Sequence, residues 1–191
     1  QRGIYERAVE TAARVAGEIK VGNALEEGPH IGPVVNKRQW DQIQGYIQKG
    51  IDEGARLVAG GPGLPEGFNR GYYVKPTIFA DVVPGMTIER EEIFGPVMCM
   101  IPFDTEADAV RIANDTPYGL TNYVQSQDGA KRNRMALALK SGMVQMNGKS
   151  RGAGSPFGGV KSSGRAREGG VWGLEEFLEV KAISAWDSTQ D

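Results

Sequence analysis

Short apolar runs of strand character recur along this chain, and segments of helical periodicity separate some of them. This alternation limits the possible folds more than any other feature of the sequence. The runs "ARLVAGG", "YYVKPTIFADV", "VMCMIPF", "GLTNYVQS" and "MVQMN" are bounded by Gly, Pro, Asn or Asp. Two of them are followed by stretches in which apolar residues return every third or fourth position. Parallel strands need a long crossover between them, and a helix supplies it. The pattern therefore predicts an α/β fold, a mainly parallel sheet covered by helices.

The details sharpen this picture. Ile4, Ala8, Ala12, Val15 and Ile19 are predicted to share the buried face of a first helix. No capping residue precedes Ile4 and no Met stands at residue 1, so the chain is expected to begin inside an element already under way. Asn36 is the predicted cap of a second helix with Trp40, Ile43, Ile47 and Ile51 on one stripe, ended by Gly54. Pro76 demotes "YYVKPTIFADV" to an edge or a bulge. A strand is expected over 97–103, then a capping box of Thr105 and Asp108 opening a helix that stops before Pro117. Another helix is predicted to end at Gly142, and a short one to lie near 171–178. "VKAISAW" (180–186) reads as a last strand, with Val180, Ala182, Ser184 and Trp186 on one face and Lys181, Ile183 and Ala185 on the other.

Charge excludes some classes of partner. Twenty-two Lys and Arg against 24 Asp and Glu give a net charge of −2, which favours neither nucleic acid nor an anionic membrane. No apolar run is long enough to span a bilayer, and no signal-peptide pattern opens the chain. One cysteine excludes an internal disulfide, and one histidine excludes a histidine cluster for metal. A cytoplasmic location is the expectation from these features. The 27 glycines, roughly twice the usual share, concentrate in Gly54–Gly71 and Gly142–Gly173 and mark shaped loops.

Taken singly, the reactive residues assemble no active site. Cys99 lies mid-strand with no base or helix N-terminus beside it, so it is expected to be a small buried hydrophobe. His30 stands in a Gly-Pro loop without a sequence partner and is expected to be an exposed loop histidine. The glycine spacing of "SPFGGVKSSGRAREGG" fits no phosphate-loop template. No catalytic residue and no metal ligand is assigned.

In combination the motifs carry more. "EEIFGPV", "PYGLTNYVQS" and "SPFGGVKSSGRAREGG", followed by "FLEVKAIS", resemble in order and spacing the C-terminal signature series of the aldehyde dehydrogenase superfamily. "IGPVVNKRQWDQIQGYI" extends the likeness over essentially the whole chain. The resemblance implies residues 1–179 as the C-terminal part of that family's catalytic domain, and 180–191 as an interface strand and tail. The family's nucleophilic cysteine, glutamate base, oxyanion asparagine and most of its cofactor domain lie upstream of the matched region, and Cys99 is not that nucleophile. The chain alone is thus expected to be inactive. In the whole enzyme, a thiolate would attack the aldehyde, hydride would pass to NAD or NADP, and water would release the acid.

The resemblance also implies roles for individual residues. Glu92 would accept hydrogen bonds from the hydroxyls of the nicotinamide-side ribose, because a carboxylate with two acceptor oxygens suits a vicinal diol. Phe94 would border the nicotinamide ring, with Gly95-Pro96 turning the chain into its strand. Leu120 and Phe157 would line the nicotinamide and aldehyde end of the cleft, and Gln39 would lie near the adenosine side. Lys149 and Arg151, in the loop 148–155 shaping the aldehyde entrance, would favour a substrate carrying a carboxylate or phosphate. Val160 and Ala166 depart from the family pattern, Ala166 at a turn where glycine is usual. The C-terminal strand implies a homodimer or homotetramer. The alternative from another class is a self-standing, catalytically dead scaffold or dimerisation module.

Overall fold

The computed structural model describes residues 1–186 and residue 189. They fall into two units, Gln1–Ala109 and Val110–Asp191, with the division inside a helix. In the first unit a 3-10 turn (Arg2–Ile4) leads into α1 (Tyr5–Glu18), then the short β1 (Lys20–Val21) and β2 (His30–Ile31). There follow α2 (Lys37–Asp52), β3 (Arg56–Ala59), β4 (Thr77–Ala80), α3 (Thr87–Arg90) and β5 (Val97–Cys99). After α4 (Glu106–Asn114), which spans the division, the second unit holds β6 (Thr121–Val124), α5 (Gly129–Ala138), β7 (Met143–Met146), a 3-10 turn (Lys161–Ser163) and α6 (Gly170–Glu175). Among the described strands the pairs β1–β2, β4–β5 and β6–β7 are parallel and β3–β4 is antiparallel, mainly parallel as the alternation predicts. The strands form three short sheets, however, and not one.

Helix α2 starts where the sequence says it starts. The Asn36 side chain accepts from the backbone N–H of Gln39 at 2.9 Å, satisfying a donor that the helix geometry leaves free. Its stripe buries Ile43 and Ile47 completely against Phe79, Val82, Ile88 and Ile93. Gly50 lies under the Phe79 ring, where a methyl group would stand 3.0 Å from its Cζ. The reciprocal bonds of the predicted capping box are present as well: Thr105 N–H to Asp108 and Asp108 N–H to Thr105, both 3.1 Å.

Several expectations need correction. On α1 the buried residues are Tyr5, Val9 and Ala16, while Ile4, Val15 and Ile19 are exposed. The face is rotated because Tyr5 anchors it: its hydroxyl accepts from Asp81 N–H at 2.6 Å and donates to the Met100 carbonyl at 3.0 Å. An apolar count alone misses an aromatic that docks through its polar tip. Pro76 stands just ahead of β4, which is the central, fully buried strand and not an edge. The irregularity lies in β3, between Leu57 and Ala59. There Gly60 has φ +75°, and any side chain on it would collide with the Pro76 carbonyl. Strand β5 stops at Cys99, and Pro102 lacks the N–H that would extend the ladder.

His30 belongs to β2 and is half-buried, with Nε2 donating to the Asn23 carbonyl at 2.8 Å. The helix of the second unit ends at Ala138, before Gly142. No strand forms over 180–186. A strand exists only through a ladder partner, and these residues have none among the described residues. Val180, Ile183 and Trp186 are instead exposed.

Cys99 is half-buried at the edge of the α2–β4 core, its thiol donating to the Ile88 carbonyl at 3.3 Å. Burial, helped by the charge of Glu89, pushes its pKa up to about 11. A thiol held above its unfolded value stabilises the fold fully below that value, and the contribution disappears as pH rises toward about 11. At neutral pH Cys99 is a protonated packing residue. Among the described residues no His, Cys, Asp or Glu group is arranged for metal, and no helix is long and apolar enough to cross a membrane.

Candidate functional site

The segment Glu91–Val97 is fastened to one stripe of α2. Gln39, Ile43 and Tyr46 lie one turn apart on that helix, at the i, i+4 and i+7 positions. The Tyr46 hydroxyl donates to Glu91 at 2.7 Å. Ile93 is buried in the core, and Gly95 lies so close to Ile43 that a Cβ would stand 2.7 Å from its Cδ1. Gln39 Nε2 donates to the Phe94 carbonyl at 2.9 Å. Behind the turn, Thr77 N–H donates to the Pro96 carbonyl at 2.9 Å, stitching the segment to β4.

This anchoring leaves two side chains projecting. Glu92 is exposed, and its carboxylate has no hydrogen bond or ion pair among the described residues. Its neighbours in the acidic run are engaged: Glu91 by Tyr46, and Glu89 by the Gly85 N–H at 3.0 Å. The run "EREE" is therefore not a uniform solvated face. Phe94 is 74% exposed, and its φ is +53°. A left-handed backbone at a non-glycine residue is disfavoured by about 1–2 kcal/mol and needs surroundings that impose it. An unpaired carboxylate beside an outward aromatic ring suits a ligand with adjacent hydroxyls and a flat face.

The second unit has its own cluster, built on "PFGGVKSSG". The Gly119 carbonyl accepts from Val160 N–H at 2.9 Å, and the Pro117 carbonyl from Ser162 N–H at 2.9 Å. The Lys161 ammonium donates to the carbonyls of Asn114 and Thr116 at 2.9 and 3.0 Å. It thus caps the carboxyl end of α4, where a helix carries partial negative charge. The tight motif is structural at its centre. Phe157 pairs its backbone with Glu168 in both directions. The Arg151 guanidinium lies 5.1 Å from the centre of the Phe157 ring, and one of its nitrogens donates to the Ser155 carbonyl at 2.8 Å. Arg151, Ser155, Phe157 and Glu168, with Gly152, Gly154, Gly169 and Gly170, line a pocket of about 430 Å³.

Of the residues expected at a site, the structure brings Gln39 to Phe94 in the first unit and Arg151 to Phe157 in the second. Leu120, leading into β6, is exposed, as is Lys149 in its loop. Sequence reasoning missed Tyr46 and the close approach of Gly95 to Ile43. The signal was present in the i, i+4, i+7 spacing of Gln39, Ile43 and Tyr46, but nothing in a sequence says what that stripe faces.

Comparison with known proteins agrees with the motifs. The aldehyde dehydrogenase family model matches residues 1–183. The chain is 50% identical over 169 residues to a Staphylococcus saprophyticus protein described as an aldehyde dehydrogenase, covering 88% of this chain and 36% of that one. Among solved structures, an aldehyde dehydrogenase of Bartonella henselae is 60% identical, with a TM-score of 0.95 over 97% of this chain and 39% of its own. Aldehyde dehydrogenase C of Pseudomonas syringae, a C291A variant solved with NAD+ and octanal, is 46% identical with a TM-score of 0.92 over the same shares. The chain thus spans little more than a third of the length of these relatives. A fold, a motif series and a family match that coincide over nearly every residue leave one assignment: the chain belongs to the aldehyde dehydrogenase family.

Proposed function

We propose that this chain is the C-terminal part of an NAD(P)-dependent aldehyde dehydrogenase that oxidises an aldehyde to a carboxylic acid, and that by itself it is inactive. The observation that carries this reading is the outward pair Glu92 and Phe94, set on a loop that α2 and β4 hold from behind. NAD or NADP would supply the hydride acceptor. Glu92 would accept hydrogen bonds from the ribose hydroxyls beside the nicotinamide, and Phe94 would limit where the ring can lie. The family relatives solved with NAD+ support the cofactor class. Leu120 and Phe157 are proposed for the aldehyde end of the cleft. Arg151 and Lys149 would favour a substrate with a second anionic group; stacked on Phe157, Arg151 is pre-ordered for that task.

The test compares the 191-residue chain with the whole protein, each mixed with aldehyde and NAD or NADP and followed by the absorbance of reduced nicotinamide. Turnover by the whole protein and none by the chain is the expected result. Turnover by the chain that Cys99→Ala abolishes would assign the nucleophile to Cys99. A whole protein that turns over no aldehyde would favour the scaffold reading.

Residues 1–179 are proposed as part of the catalytic domain and 180–191 as an interface segment joining a homodimer or homotetramer. The exposed Val180, Ile183 and Trp186 support this, because apolar side chains without cover favour association, and a second subunit would supply the missing ladder. Deleting Val180–Asp191 from the whole protein should leave a smaller species by light scattering. An unchanged, active oligomer would exclude the segment from the interface.

A further inference from the structure

We infer that Asn147 is a positioning residue for substrate selection: its side chain completes the β6–β7 sheet in place of backbone and so fixes where the loop 148–155, with Lys149 and Arg151, leaves that sheet. The inference rests on the proposed role of Lys149 and Arg151 in favouring an anionic substrate. Its starting point is the end of the β6–β7 ladder. The last registered pair is Val124 with Met146, and Asn147 N–H still donates to the Val124 carbonyl at 2.9 Å. There the chain turns out of the sheet through two successive left-handed residues, Asn147 at φ +50° and Gly148 at φ +69°. Ser126, just beyond β6, would lose its ladder partners at this turn. The Asn147 carboxamide supplies both: Oδ1 accepts from Ser126 N–H at 2.9 Å, and Nδ2 donates to the Ser126 carbonyl at 3.0 Å.

Two demands meet at this position, and asparagine satisfies both. The backbone is left-handed, which asparagine tolerates better than most residues. The side chain must offer one donor and one acceptor, as a peptide group does, and aspartate lacks the donor. The other half of the clip is itself held. The Ser126 carbonyl also accepts from Arg132 of α5 at 2.6 Å, and Ser126 Oγ accepts from Asp128 N–H at 3.2 Å. Further along the loop, Arg151 is fastened to Ser155 and stacked on Phe157. Asn147 does not line the pocket that Arg151 and Phe157 share, so it acts through the loop. The guanidinium is thus carried on a segment whose exit from the sheet depends on one carboxamide.

The experiment uses the whole protein and two aldehydes of equal length, 4-oxobutanoate, which carries a carboxylate, and butanal, which does not. The readout is the ratio of their kcat/KM values. Arg151→Gln should lower that ratio by about tenfold, the scale of one charge-assisted hydrogen bond. Asn147→Gly keeps the left-handed backbone and removes only the carboxamide. It should lower the ratio by about threefold or more, through KM for 4-oxobutanoate, while kcat for butanal stays within about twofold. The double variant should fall no more than about twofold below Arg151→Gln alone, because the two residues act through one contact. Equal losses for both aldehydes, or full multiplication in the double variant, would overturn the inference. Amide exchange should quicken on a peptide covering 148–156 and stay unchanged on one covering 119–124; unchanged exchange in the first, or faster exchange in both, would overturn it independently of activity. If Asn147→Gly does not fold, Asn147→Asp, which loses only the donor, is read by exchange alone with the same two outcomes. An unchanged ratio in Arg151→Gln would instead overturn the proposed role of Arg151, and exchange would then decide whether Asn147 holds the loop.

Discussion

Phe79→Ala should lower the stability of the protein by about 3–5 kcal/mol, the range for removing a buried aromatic and leaving its cavity. Phe79 is completely buried at the centre of the α2–β4 core. Strand β4 lies between β3 and β5, so no edge is free to move in and fill the space. The α2 side cannot close the gap easily either, because Gly50 presents backbone where the ring now rests. Denaturant titration followed by tryptophan fluorescence measures the loss, and Phe79→Leu, which keeps most of the volume, should lose distinctly less. A loss below about 1 kcal/mol for Phe79→Ala would mean that the core relaxes around the gap and that its packing has been overstated.

Glu92→Gln should slow the whole protein by up to ~100-fold in kcat with little change in aldehyde KM. Glutamine has nearly the shape of glutamate but only one acceptor oxygen and no charge, so a diol loses half its partner. The substitution should be structurally silent, since the Glu92 carboxylate bonds to nothing among the described residues. That separates it from Glu91, whose loss would also remove the bond from the Tyr46 hydroxyl. Steady-state kinetics against aldehyde and cofactor in turn give the answer. If kcat and cofactor affinity are both unchanged, Glu92 is only a solvated acid.

What could be read from the sequence was what is local. Asn36, the Thr105–Asp108 box and the α2 stripe are fixed by residues within a turn or two of one another, and all three are found as expected. The larger errors have a different cause, because they depended on a partner distant in sequence. Tyr5 sets the face of α1 through Asp81 and Met100, and β4 becomes the central strand only through its neighbours on both sides. "VKAISAW" had strand character but no ladder, since periodicity describes a side-chain pattern and says nothing of a pairing partner. At the candidate site, the motif "EEIFGPV" singled out Glu92 and Phe94. The positive φ of Phe94 and the grip of Gln39 on it were invisible, because φ at a phenylalanine carries no letter-level signal.

The bond between Gln39 and Phe94 also has a consequence for assembly. It joins positions 55 residues apart, whereas the cap that starts α2 joins positions three apart. Helix α2 can therefore nucleate early on local contacts, while the loop reaches its final geometry only after the intervening chain has been closed and β4 and β5 have paired. The outward pose of Phe94 is consequently expected late on the folding pathway. A partly folded chain would keep the helical signal of α2 yet lack the bond from Gln39 to Phe94; if this loop holds the cofactor as proposed, ligand affinity should report completed folding where helix content does not.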